Sequence, residues 1–136
     1  MCSVHDNQLF AYSVDGVSKR IVLHTSYHEQ SPVEYTDIVF DGVLDHMFRD
    51  VLLPSIIFDV ERADTAYVLN QYLDMLAEGH RRGGWPSFYD PEVANMARKV
   101  SSEGCHLFTV TSSYGIDGWV VARSMRLKSV ESGEIG

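Results

Sequence analysis

The chain has 136 residues, 45% of them hydrophobic, with 19 acidic against 11 basic side chains and a formal charge of −8. That length suits one domain burying roughly two-thirds of the surface its unfolded chain exposes. No apolar run approaches the ~20 residues of a membrane-spanning helix. The negative charge disfavours a general grip on phosphate backbones, so neither a nucleic-acid nor a membrane partner is expected. The acid excess is uneven: residues 1–61 hold ten acids and three bases, residues 62–136 nine and eight. An acidic N-terminal half suits a solubilising face or a surface for a basic partner.

Residues 8–14 and 19–27 alternate around Asp15-Gly16, which predicts a hairpin. Glu29 to Pro32 interrupts, and Val33–Phe40 resumes the alternation as a third strand. Residues 43–53 follow neither a period of two nor one of 3.6, which leaves strand, helix and loop open. After Pro54, the continuous apolar start Ile56-Ile57-Phe58 suits a buried strand. Asp64 is a candidate N-cap for a long helix with Val68, Leu69, Tyr72, Leu73, Met75 and Leu76 on its apolar side, ended by Gly79 and Gly83-Gly84. Asp90-Pro91 predicts the cap and first residue of a second helix, with Val93, Ala94, Met96, Ala97 and Val100 inward and Gly104 closing it. Strands over Cys105–Ser112 and Trp119–Leu127 flank Ser113 to Gly118 as a hairpin tip, with Trp119, Val121, Met125 and Leu127 on one face.

Strands at both ends with helices between them imply an α+β fold. The expectation is a single domain over residues 1–128, with a largely antiparallel sheet of five to six strands and two helices inserted before a C-terminal β-hairpin. Residues 129–136, polar and glycine-containing, are expected to form a flexible tail. The first seven residues lack the basic start and apolar stretch of a secretory signal, so a cytoplasmic location is expected. Cys2 and Cys105 are far apart in sequence and are read as reduced thiols.

No catalytic signature is present, and no cofactor is expected. His24 and His28 would lie ~13 Å apart on a strand, too far to share an ion, and no metal motif supports them. Cys105 and His106, as strand neighbours, point to opposite faces and cannot act as nucleophile and base together. The candidate contact residues are therefore the carboxylates Asp37, Asp41 and Asp45, the cationic and aromatic loop residues Arg81, Arg82 and Trp85, and Tyr114 at the hairpin tip. Arg and Trp are enriched at interface hot spots, although cations and Gly-Gly after a helix also suit a plain C-terminal cap with Trp85 folded onto the core.

The segment Tyr35-Thr36-Asp37-Ile38-Val39-Phe40-Asp41-Gly42-Val43, continued to Glu61, and the segment Ser112–Met125 ("SSYGIDGWVVARSM") resemble small acidic uncharacterised bacterial proteins, some of them immunity proteins of polymorphic or contact-dependent toxin systems. That resemblance implies a non-catalytic inhibitor covering a basic toxin by charge and shape. It carries no active-site residue over to this chain. The alternatives are a homo-oligomer, such as a dimer, binding a small ligand, or a small hydrolase using His24, His28, Asp45 or Cys105 in a sheet-lined pocket.

Overall fold

The alternation over residues 8–27 folds as expected: β1 (Gln8–Asp15) pairs antiparallel with β2 (Arg20–Tyr27), from Gln8↔Ser26 to Asp15↔Arg20, in the computed structural model, which describes residues 4–131. The turn differs in detail. Asp15 Oδ1 accepts the N–H groups of Val17 (2.8 Å) and Ser18 (3.1 Å), and the left-handed position is Lys19 (φ 58°) rather than Gly16. Those bonds, that of Ser18 foremost, hold the Asp15 carboxyl below its ordinary range.

β3 (Glu34–Asp41) pairs with β2 along its whole length. Within the ambiguous stretch, residues 45–49 form a strand, β4 (Asp45–Arg49), and β5 (Ser55–Ala63) follows the Pro54 boundary. Three helices come next, α1 (Thr65–Asn70), α2 (Leu73–Gly83) and α3 (Val93–Ser102), then β6 (His106–Tyr114), β7 (Asp117–Ala122) and β8 (Ser124–Val130). The domain is α+β with a largely antiparallel sheet, in the order β4-β7-β6-β5-β1-β2-β3-β8. Eight strands and three helices replace the expected five to six and two. β8 runs to Val130, and residues 132–136, where the rest of the expected tail falls, lie outside those described.

The extra strands come from bends in two long ones. β7 and β8 are separated by Arg123 alone, and β3 leads into β4 through Gly42, Val43 and Leu44. β3 pairs with β8 from Tyr35↔Val130 to Asp41↔Ser124, and β4 pairs with β7 from Asp45↔Val121 to Arg49↔Asp117. β4 and β8, the ends of the strand order, are thus covalent continuations of β3 and β7, and the sheet curls into a barrel of six strand positions. At the bend, three residues face two, so the side-chain alternation slips by one. Trp119 and Val121 consequently face the helices while Met125 and Leu127 face the barrel interior, correcting the expectation that all four share a face.

Two apolar layers result. Leu9, Ile21, Leu23, Ile38, Phe40, Ile57, Phe108, Val110 and Val120 fill the barrel. On the outside of β4, β7 and β6, Met47, Leu107, Trp119 and Val121 pack against Leu69, Leu76, Met96 and Val100 of the helices. Trp119 is fully buried, stacked on Trp85 with ring centres 5.9 Å apart. β5 departs from its expected two-sided burial: Ile57 is buried, whereas Ile56 and Phe58 are exposed.

The expected long helix is broken. Asp64 does cap it, accepting the Tyr67 N–H at 2.8 Å, but the chain stops being helical at Gln71 and Tyr72 before α2 restarts. α2 runs through Gly79, where an added Cβ would overlap the Trp85 ring, and ends at Gly84 (φ 76°). α3 starts later than predicted, with Glu92 at the N-cap. Asp90 Oδ1 instead bonds the Glu92 N–H (2.9 Å) and Asn95 Nδ2 (3.2 Å) ahead of the helix.

A Cβ on Gly118 would fall on the Met47 carbonyl of β4, while one on Gly16 would meet nothing within 4 Å. Gly118→Ala is therefore expected to destabilise the fold by about 1–3 kcal/mol in urea unfolding, as overpacking does, and Gly16→Ala to stay within about 0.5 kcal/mol of the parent.

Candidate functional site

The helices cover only part of the barrel's outside, and the outer face of β1, β2 and β3 carries aromatic and polar side chains. β1 skips a register position between Leu9 and Ala11, and the extra residue, Phe10, turns its ring outward. That ring lies 6.2 Å from Tyr35, edge to face, and 6.2 Å from His24. Ser26 and Tyr35 are directly opposed across β2 and β3, as are His24 and Asp37. Phe10 and Tyr35, with Leu53 and Pro54 of the loop before β5 on one side, line a cleft of about 380 Å³ whose polar members are Gln8, Ser26, His28 and the Tyr35 phenol. Ser26 Oγ and His28 Nε2 are 2.8 Å apart, and Ser26 is almost fully buried.

A second surface lies around β5, on the far side of Gln8, which pairs with Ile56. Ile56 in turn opposes Tyr114, which is 59% exposed. Leu52, Leu53, Ile56, Phe58 and Tyr114 make up five of the ten exposed large hydrophobic residues among those described, so apolar exposure is concentrated here. The Tyr114 turn is built into this surface. Gly115 (φ 102°) leaves no room for a Cβ against Ser55, whose buried Oγ donates to the Leu52 carbonyl and accepts the Ile116 N–H at 3.0 Å.

The other candidates are held within the fold. Asp37 bonds His24 at 2.8 Å. Asp41 accepts from Arg20 Nε at 2.7 Å and lies 3.6 Å from Arg126 Nε, and Asp45 accepts both the N–H (3.0 Å) and the Oγ (2.6 Å) of Ser87. Arg81 and Arg82 share Glu78, and Trp85 is stacked half-buried on Trp119. The structure does not gather these residues into one patch: Asp37 and Asp41 lie on β3 and Asp45 on β4, whereas Arg81 and Arg82, expected in a loop, are in the last turn of α2 because the helix runs on to Gly83, and Trp85 packs between the helices and the sheet. Phe10, Ser26, Tyr35, Ile56 and Phe58 escaped the sequence reading. The signals available were Phe10 and Tyr35 within alternating strands and an apolar run beside Pro54, both of which also describe ordinary core.

For hydrolysis the arrangement is poor. His24, on β2, bonds Asp37, while His28, just past the end of β2, bonds Ser26, so the two share no partner; Asp45 is elsewhere, and Cys105 lies buried against the helix layer. Burial, the main cause, raises the Cys105 thiol above its ordinary range, which disfavours the reactive thiolate. Among the described residues, no three His, Cys, Asp or Glu side chains converge as a metal site requires. No family model, no curated protein and no solved structure matches this chain.

Two tests follow from these environments. In a Cys2→Ser background, Cys105 is expected to react with a thiol reagent at neutral pH at least about tenfold more slowly than in the urea-unfolded chain; equal rates would contradict its burial. His46, half-buried on β4 with its ring 5.3 Å from that of Phe48, is held below its ordinary range chiefly by desolvation, with Asp45 opposing. The unfolded chain thus takes up this proton first, so stability should fall as pH drops below about 6.5. Urea unfolding of His46→Gln should show less of that fall.

Proposed function

We propose that the protein is a non-catalytic protein-interaction module that captures a basic protein through the surface formed by Leu52, Ile56, Phe58 and Tyr114. The observation that supports this best is concentrated apolar exposure carried by segments rich in acids and poor in cations. The segments that carry this surface, residues 4–18, 50–61 and 106–122, contain no Lys or Arg but hold Asp6, Asp15, Asp50, Asp59, Glu61 and Asp117, and the next cation on β5 is Arg62 at its far end. Arg49, at the border, is turned to Asp117 at 3.2 Å and lies over the Tyr72 ring. An apolar, aromatic centre inside an acidic margin suits a partner whose apolar contact residues are ringed by cations, because aromatic anchors supply affinity and charge supplies approach rate. A second copy of the chain fits worse, since a two-fold contact would set two acidic margins against each other. A basic bacterial toxin, as the immunity-protein resemblance implies, belongs to the favoured partner class. Asp37, Asp41 and Asp45 would then act mainly through the overall field.

The test is capture from the native cell on immobilised chain, followed by titration of the purified partner against the parent and a Phe58→Ser/Tyr114→Ser double variant. The expected result is a basic partner whose affinity falls at least about thirtyfold in the double variant, corresponding to one hot-spot loss of about 2 kcal/mol. An acidic partner, affinity unchanged in the variant, or a concentration-dependent dimer lost in the variant would overturn the proposal.

A further inference from the structure

We propose that the cleft on the outer face of β1–β3 is a separate binding site for a free small molecule, a flat and uncharged aromatic or heteroaromatic ring bearing hydrogen-bonding groups. Its volume of about 380 Å³ falls in the roughly 300–1,000 Å³ range of small-molecule sites. Phe10 and Tyr35 stand edge to face at 6.2 Å, which leaves ring faces for a flat guest, and Leu53 and Pro54 supply an aliphatic wall. The polar groups at the cleft are the Gln8 amide, the Ser26 hydroxyl with the His28 imidazole beside it, and the Tyr35 phenol. Together they offer donors and acceptors without a fixed charge, as Asp, Glu, Lys and Arg are absent from the lining. Asp37, on the same face of β3 two residues from Tyr35, is bonded to His24 at 2.8 Å. The lining itself therefore offers neither a fixed cation to an anionic guest nor a carboxylate to a cationic one. A saturated ring would forgo the stacking that Phe10 and Tyr35 provide.

This site borders the β5 surface at Leu53, which both share, but its variants leave the proposed contact residues Leu52, Ile56, Phe58 and Tyr114 intact. The experiment titrates the isotope-labelled full chain with indole and adenine, and with cyclohexanol and benzoate as the saturated and anionic comparisons, following backbone amide shifts. Expected are shifts centred on residues 8–10, 26–28, 35 and 53, with cyclohexanol and benzoate at least about fivefold weaker, the low end of what one stacking contact contributes. Tyr35→Leu should weaken both rings at least as much. Leu53→Asp, at a residue 53% exposed and so tolerant of change, should weaken them with the fold intact. Absence of saturable binding by indole and adenine at millimolar concentration, equal binding of cyclohexanol, shifts centred elsewhere, or affinities unchanged in Leu53→Asp would each overturn the site.

Discussion

The shape of this protein depends on the bend where Gly42 and Arg123 meet. Arg123 donates its N–H to the Asp41 carbonyl at 3.0 Å and lies 3.3 Å from that of Gly42, which ties the two long strands together at the point where both turn. Gly42 has φ 64°, and a Cβ there would collide with the Arg123 side chain, so the crossing needs both the left-handed backbone and the empty space. The bend lets one pair of strands serve two layers. Its first half closes the barrel beside β2, and its second half presents Met47, Trp119 and Val121 to the helices.

Everything outside the helix layer follows from that division. Three helices cover one side of the barrel, leaving the outer faces of β1–β3 and the start of β5 to be finished by their own side chains. Each of these faces is reshaped by an irregularity in pairing, with Phe10 extra in β1 and two register shifts in β5 between Ile56 and Asp59. Bulges of this kind re-aim side chains and disturb the ladder. Here they turn aromatic residues toward solvent, where alternation alone would have sent some of them inward.

Local physics made part of this legible. The β1–β2 hairpin, the Asp64 cap and the burial of Trp119 follow from alternation, a short acceptor side chain and a large indole beside apolar neighbours, and the structure has all three. The bend was not legible, because odd-numbered apolar residues continue across Arg123 as if the strand were straight, and only the slipped pairing with β3 and β4 reverses their faces. The helix break at Gln71 was hidden likewise, since Leu69, Tyr72, Leu73 and Leu76 keep helical spacing through it. At the candidate surfaces, Ile56 and Phe58 look like core in sequence. Their exposure is decided by which neighbours the closed sheet supplies, and that is information from the far ends of the chain.

The seam between β1 and β5 is the shortest closure of the barrel: two residue pairs, extended by the Asp6 N–H to the Ile57 carbonyl and the Ile57 N–H to the Asn7 carbonyl, both 2.8 Å. Asn7 is locked there by its own bond to Thr25 Oγ1 at 2.9 Å. Local opening costs least where few contacts must break, so this line has the character of a hinge. It also runs between the two outer surfaces, since Gln8 borders the cleft and its partner Ile56 belongs to the apolar patch. The same few backbone bonds therefore hold the edges of both outer surfaces together.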